Sequence, residues 1–133
     1  MLAYTGKVGY DYKNWIELAR GELEQAGFAL ENGGYHFVAF LAQQAAEQAL
    51  KGLWLFRGDG VPPRSHNLVE LARALQAPDE IMNACARLGP HYMASRYPDV
   101  AQGNPADNYT ETMARDLRDD GEEIFQWCAD QAA

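Results

Sequence analysis

The sequence predicts an all-α protein, an up-and-down bundle of four long helices and one short helix. Three observations support this fold class. Apolar residues recur at spacings of three and four along most of the chain. Glycine and proline gather at four places where helices would end, namely Gly33-Gly34, residues 58–63, Gly89-Pro90 and residues 98–105. No stretch of four or more residues alternates between apolar and polar as a half-buried strand does.

The length and composition fit one domain. The chain has 133 residues, of which 47% are hydrophobic and 23% are charged, a balance typical of a packed globular protein. We therefore expect a single domain over residues 1–133, with its core between about residues 10 and 130.

The first two helices have the clearest boundaries. Apolar side chains between Tyr12 and Leu30 step by three or four, which predicts a helix of about five turns that ends at Asn32-Gly33-Gly34. A second helix is predicted over residues 35–57, with alanines along its inward face. Because alanine is small, a neighbouring helix can approach this face closely, and we expect this to be the central helix.

Two further helices are predicted after the glycine- and proline-rich residues 58–63. Ser65 is the expected N-cap of a short third helix over residues 66–75. A fourth helix is predicted over residues 79–93, with a bend at Gly89-Pro90 because proline interrupts the backbone hydrogen bonds of a helix.

The last helix is predicted over residues 108–130, with Gly121 as a weak point. Its inward positions are expected to be Tyr109, Met113, Leu117, Ile124, Trp127 and Cys128.

The charge pattern excludes a general attraction to polyanions. The formal net charge is −8 at pH 7, and residues 110–133 alone carry seven acidic and two basic side chains. A nucleotide or an RNA would therefore need a local basic cluster. No apolar run approaches the roughly 18 residues that cross a bilayer, so we expect no membrane partner. The N-terminal residues lack the apolar core of a secretory signal, so we expect a cytoplasmic protein.

The spacing of cysteines and histidines predicts no metal site. Cys85 and Cys128 lie far apart and outside any zinc-binding or disulfide pattern, so we expect two buried thiols. His36, His66 and His91 stand in no HxxxH or HExxH relation to one another. Phosphate-loop, dinucleotide-binding and serine-hydrolase motifs are missing from the sequence, and we expect no cofactor.

A polar stretch interrupts the second helix. Gln44, Glu47 and Lys51 step by three and four and so share one face, and Glu47 precedes Lys51 in the favourable order for an i, i+4 ion pair. Two interpretations remain open. The stretch is either an ordinary solvated ion pair or a place where Lys51 neutralises a phosphate.

Two loops carry further cationic candidates. Arg64, Ser65 and His66 follow a stiff Pro62-Pro63 entry at a predicted helix start, where free backbone N–H groups favour an anion; in the alternative, Ser65 only caps the helix. Arg96 lies at a helix end broken by proline, where it can cap carbonyls, pair with an acid or reach a phosphate, and Tyr97 offers a ring for a base.

We hypothesise that these groups, distant in sequence, meet in one cleft that binds a nucleotide. The candidate nucleotide-binding residues are Lys51, Arg64, His66, Arg96 and Tyr97. No residue is predicted to be catalytic.

The order of these segments resembles the HEPN family. The resemblance rests on a Trp-led first helix, then GGYHFVAFLAQQAAEQALKGLWLFRG, PPRSHNLVEL and SRYPD, then a long last helix that contains IFQW. It covers about residues 10–130. It implies an all-α fold similar to the C-terminal domain of kanamycin nucleotidyltransferase, a homodimer, and a separate minimal nucleotidyltransferase as partner, in some cases as a toxin–antitoxin pair.

Many HEPN proteins are metal-independent ribonucleases with an RxxxxH motif or a slightly longer form of it. This sequence departs from the motif, because three residues separate Arg87 from His91, one separates Arg64 from His66, and no histidine follows Arg96. Our first hypothesis is therefore a nucleotide-binding or accessory subunit for a minimal nucleotidyltransferase. The alternatives are a ribonuclease with a different Arg/His arrangement, and a non-catalytic helical interaction module.

There is also a physical reason to expect a homodimer, because a small core cannot enclose every aromatic ring. We expect some of the large aromatic residues to form the interface. The rings considered are those of Trp15, Trp54, Phe56 and Trp127.

Overall fold

A computed structural model describes residues 11–58 and 60–133. The described chain is helical and contains no strand within these ranges, which confirms the all-α prediction. The helices are α1 (Tyr12–Glu31), α2 (Tyr35–Phe56), α3 (Leu68–Ala74), α4 (Asp79–Leu88), α5 (His91–Ala94), α6 (Pro98–Ala101) and α7 (Glu111–Gln131), with a 3-10 turn over Pro105–Asn108.

The long helices α1 and α2 form a helical hairpin. Asp11 caps α1 by accepting a hydrogen bond from the backbone N–H of Asn14 at 3.2 Å. The turn between the helices uses Gly33 at φ +77°, a left-handed conformation that suits glycine. Helix α2 is the centre of the molecule, since α1, α3, α4, α5 and α7 all pack against it. The predicted boundaries of α1 and α2 are therefore close to those observed.

The predicted third and fourth helices differ from the structure at their ends. Helix α3 begins at Leu68, and its N-cap is Asn67, whose side chain accepts from the N–H of Glu70 at 3.0 Å. The assignment of Ser65 as the cap was wrong, because Ser65 Oγ instead accepts from the N–H of Asn67 at 3.0 Å. Helix α4 stops at Leu88, and the segment beyond the Gly89-Pro90 bend is the separate single-turn helix α5.

The start of the last helix also differs. Thr110 caps α7 by accepting from the N–H of Met113, so residues 108–110 lie outside the helix. Met113 is exposed rather than inward, because the core-facing positions of the first turns are Ala114 and Leu117. Gly121 is buried at the contact between α2 and α7, where an added Cβ would lie 3.1 Å from both Cβ and O of Ala42. Its small size permits this close approach.

The core lies between α2 and the surrounding helices. Both cysteines are buried and free, as expected. Burial raises the pKa of Cys85 to about 12 and raises that of Cys128 as well, so both thiols stay protonated at neutral pH. Within the described ranges, no helix combines the length and apolar character needed to cross a membrane.

Candidate functional site

The carboxylate of Glu47 is the centre of a buried polar cluster. Lys51 Nζ lies 2.9 Å from Glu47 Oε2. His66 Nδ1 lies 3.0 Å from Oε1 and 3.1 Å from Oε2 of the same carboxylate. Gln43 Nε2 donates to Glu47 Oε1 at 3.3 Å. We call these four residues the Glu47 cluster.

Burial distinguishes the Glu47 cluster from a surface ion pair. Glu47 and Lys51 are only 5% and 8% exposed, so the interpretation of this stretch as a solvated face was wrong. Removing two charges from water is unfavourable unless their hydrogen bonds are satisfied inside the protein. Glu47 meets this condition, because three side chains donate to it.

Local structure explains how His66 reaches the cluster. Gln43, Glu47 and Lys51 follow one another at i, i+4 on α2, so their side chains lie in one row. Because Asn67 is the N-cap of α3, His66 lies just before that helix and its ring turns back onto α2. A carboxylate only accepts hydrogen bonds, so the proton of a neutral His66 ring is on Nδ1 and Nε2 is left as an acceptor.

An aromatic and cationic stack continues from His66. The ring of Tyr92 on α5 stacks on His66 with centroids 4.1 Å apart and an interplanar angle of 15°. The guanidinium carbon of Arg96 lies 4.1 Å from the centre of the Tyr92 ring and 4.8 Å from that of Phe40 on α2. The Tyr97 ring centre is 5.6 Å from the same carbon.

Arg96 has one unused hydrogen-bond donor. Its Nε donates to the carbonyl oxygen of Tyr92 at 3.1 Å, which partly matches the predicted capping role. Its Nη2 is fully enclosed and has no acceptor among the described residues. Enclosed donors nearly always have a partner in folded proteins, so this nitrogen is an exception within the described structure.

An open groove of about 510 Å³ borders the stack. His66 and Tyr92 form part of its wall, and Asn67, Val69 and Met93 form other parts. The His66 side chain is 51% exposed, so the ring joins the buried Glu47 carboxylate to an accessible surface. A mixed groove of aromatic, apolar and polar groups suits a planar polar ring.

The structure brings together most of the predicted site residues. Lys51, His66, Arg96 and Tyr97 belong to one continuous set of contacts. Lys51 is bonded to Glu47, so it positions that carboxylate instead of standing free for a phosphate. Arg64 is exposed and makes no contact with this set in the described structure. The nucleotide-binding role of all five residues remains a prediction.

Sequence reasoning missed the residues that connect the set. Tyr92 links His66 to Arg96, and Phe40 contacts Arg96 from α2. The sequence pattern pointed only weakly to these two rings, because aromatic residues at helical spacing are usual in any core. Gln43 gave a clearer signal, since an amide next to Gln44 in an alanine-rich run needs hydrogen-bond partners once it is buried.

The family model for the HEPN domain matches residues 12–131, nearly the whole chain. The chain belongs to the HEPN family. A comparison with curated proteins gave no match.

Solved structures agree with this HEPN assignment. The TT1696 protein of Thermus thermophilus is 33% identical, with a TM-score of 0.83 over 90% of this chain and 97% of that chain. The archaeal HEPN homologue ST0689 is 35% identical, with a TM-score of 0.81 over 92% and 98%. A HEPN domain protein of Thermotoga maritima, TM0613, is 27% identical, with a TM-score of 0.68 over 87% and 94%.

Another Arg/His pair of this HEPN protein, Arg87 and His91, has internal partners. Arg87 Nη2 lies 2.8 Å from Asp120 Oδ1, and Arg87 Nε also donates to this carboxylate. Hydrogen bonding to Asp120 raises the pKa of Arg87 above its ordinary value. His91 Nδ1 is 2.7 Å from the hydroxyl of Tyr109, and burial lowers the pKa of His91. Both residues border a separate groove of about 420 Å³ beside α7 that also contains three aspartates.

Proposed function

We propose that this HEPN protein binds the phosphate-bearing part of a nucleotide beside the Glu47 cluster. One observation carries the proposal, namely the stack of His66, Tyr92 and Arg96, in which the rings of His66 and Tyr92 border an open groove. Arg96 supplies a fixed positive charge against the Tyr92 ring, and such a charge favours a phosphate nearby. The outer wall of the groove offers ring surfaces for a base.

Electrostatics support this location over the groove beside α7. The groove beside α7 contains Asp116, Asp119 and Asp120 against the single arginine Arg87, which is already paired. A phosphate would be repelled there. The groove beside His66 contains no carboxylate among the described residues that form its wall.

Isothermal titration with ATP and GTP tests the binding proposal. We expect saturable binding to the unchanged protein and about 10- to 100-fold weaker binding to Arg96→Ala, because a hydrogen bond to a charged group contributes about 1.5–3 kcal/mol. Arg115→Ala is the matched control, since Arg115 is an exposed arginine paired with Glu111 on α7. Absence of binding heat, or equal affinities in Arg96→Ala and Arg115→Ala, would contradict the proposal.

We further propose that the protein acts as the accessory subunit of a minimal nucleotidyltransferase, within a toxin–antitoxin pair. Family membership supports this role, because the HEPN model matches residues 12–131 and resemblance to this family implies such a partner. The first observation to make is whether an adjacent reading frame encodes a small nucleotidyltransferase. Co-expression of the two chains should then give a stable complex, and separate elution of the two chains would count against the role.

A second candidate function is metal-independent RNA cleavage, and the bond between Glu47 and His66 favours it. A carboxylate on Nδ1 orients the ring and strengthens Nε2 as a general base toward a 2′-hydroxyl. Arg96 could then stabilise charge on the phosphate.

Incubating the protein with RNA in EDTA tests the second candidate. If the candidate is right, cleavage should occur in wild type and fall by about 100-fold or more in His66→Ala, the lower end of general acid–base contributions. His91→Ala should leave cleavage unchanged, because that ring is bonded to Tyr109 away from the Glu47 cluster. Intact RNA after incubation with wild type would exclude the enzyme function.

We also propose that a second copy of this chain covers an exposed apolar patch at the α1–α2 turn. The patch consists of Phe28 and Phe37, which are 61% and 55% exposed, together with Phe40 and Leu41 in a groove of about 330 Å³. Of the aromatic residues suggested by the sequence, Trp54 and Trp127 pack against the chain's own core, whereas Phe56 is 41% exposed but lies outside this patch. Exposed phenylalanines in contiguous patches are typical of protein interfaces.

Sedimentation analysis tests this interface. We expect a dimer for wild type and a monomer for the double variant Phe28→Glu and Phe37→Glu, because the charges cannot be buried at the contact. Val61→Glu is the control, as Val61 is an exposed apolar residue outside the patch. A monomeric wild type, or a dimer that persists in the double variant, would contradict the proposal.

A further inference from the structure

A second carboxyl group, that of Glu22 on α1, lies close enough to Glu47 for the two negative charges to repel each other. Glu22 is half-buried at the contact between α1 and α2, where its side chain is hydrogen-bonded to that of Gln48. Oε1 of Glu22 and Oε1 of Gln48 are both fully enclosed and have no donor among the described residues. Each of these two side chains therefore has one enclosed oxygen without a donor in the described structure.

A proton on Glu22 would supply a donor at this contact. A carboxylic acid group donates one hydrogen bond, whereas a carboxylate only accepts, so the protonated acid adds a donor where the ionised form leaves an enclosed oxygen unpaired. Burial and the nearby negative charge of Glu47 raise the pKa of Glu22 to about 7, while the hydrogen bond from Gln48 acts in the opposite direction. The geometry and the electrostatics therefore favour the same protonated form.

Among the residues that the structure describes, few charged groups lie around Glu22. On α2 these are Glu47, which repels it, and beyond Glu47 the bonded cation Lys51. His66 approaches Glu47 from the segment before α3. Helix α7 also packs on α1, but it places its Arg118 guanidinium against Gly27, more than a helical turn beyond Glu22.

We propose that protonation of Glu22 controls anion binding beside the Glu47 cluster. With Glu22 ionised, the group of Glu22, Glu47 and Lys51 carries one net negative charge; with Glu22 protonated, that group is neutral. An anion at His66 and Arg96 therefore binds more tightly to the protonated form, and by linkage its binding promotes proton uptake. This inference rests on the proposed function, since it needs a phosphate-bearing ligand at that place.

The test compares ATP dissociation constants at pH 6 and pH 8 in wild type and Glu22→Gln. The glutamine mimics the protonated acid, so we expect equal affinities at pH 6 and several-fold tighter binding by Glu22→Gln at pH 8. Titration of ATP itself affects both proteins equally and cancels in the comparison. Glu24→Gln is the matched control, because Glu24 is exposed on the same helix and should retain the wild-type pH dependence.

The outcomes separate this inference from the proposed function. Measurable ATP binding with the same pH dependence in wild type and Glu22→Gln would overturn the inference and leave the function intact. Absence of ATP binding at both pH values would overturn both.

A ligand-free readout accompanies the binding test. A pKa raised in the folded state from 4.5 to about 7 means that the folded protein holds the proton more tightly than the unfolded chain. The stability that Glu22 contributes is then fully present below pH 4.5 and is lost as pH rises through about 7, so the Tm of wild type should fall relative to that of Glu22→Gln over this interval. Parallel Tm profiles, or a Glu22 carboxyl that titrates near 4.5 by NMR, would overturn the inference.

Discussion

Replacing Glu47 with alanine is expected to lower the free energy of unfolding by about 3–5 kcal/mol, the cost of breaking a buried ion pair from one side. Lys51 would keep its buried ammonium group without the carboxylate that now lies 2.9 Å away. Gln43 and His66 would lose the same acceptor. Urea denaturation at neutral pH measures the change.

A double replacement distinguishes the effect of the unpaired buried charge on stability from the effect of lost packing. Glu47→Met with Lys51→Met removes both charges and keeps apolar volume, so it should recover most of the stability lost in Glu47→Ala. A loss below about 1 kcal/mol for Glu47→Ala would show that the pair behaves like a surface ion pair. A double variant less stable than Glu47→Ala would also contradict the account.

Replacing Gly121 with alanine is expected to destabilise the protein, although alanine is the better helix former. The added Cβ would lie 3.1 Å from the Cβ and the carbonyl oxygen of Ala42, so α2 and α7 must separate slightly. Overpacking of this kind costs about 1–3 kcal/mol. The gain in helix propensity, up to about 1 kcal/mol, offsets only part of this cost.

Gly21 provides the matched control for this prediction. It also lies inside a long helix, but an added Cβ there would meet no atom within 4 Å in the described structure. Gly21→Ala should therefore stabilise the protein by about 0.5–1 kcal/mol. Thermal denaturation of the two variants measures the contrast, and similar stabilisation by both would refute the close contact between α2 and α7.

The features predicted well are those that depend on local sequence. The boundaries of α1 and α2 followed from the apolar spacing and from the turn at Gly33-Gly34, where glycine has few substitutes. The start of α3 was harder, because Ser65 and Asn67 are both good caps and lie two residues apart. Which of them caps the helix depends on how the preceding segment packs on α2.

The features predicted poorly depend on contacts across the fold. Glu47 and Lys51 have the spacing of any surface pair, and only the packing of the other helices around α2 buries them. Tyr92 joins His66 to Arg96 through a stack that no sequence spacing reveals. The unpaired oxygen of Glu22 likewise results from the α1–α2 contact, since a glutamate at this helical position is normally solvated.

The central claim is that His66, Tyr92 and Arg96 form one binding site organised by Glu47. Titration of the isotope-labelled protein with ATP, followed by two-dimensional NMR of the backbone amides, tests it most directly. The account predicts saturable chemical-shift changes concentrated at residues 64–68 and 90–97. Changes concentrated instead around Arg87 and Asp120 beside α7, or no saturable change anywhere, would contradict it.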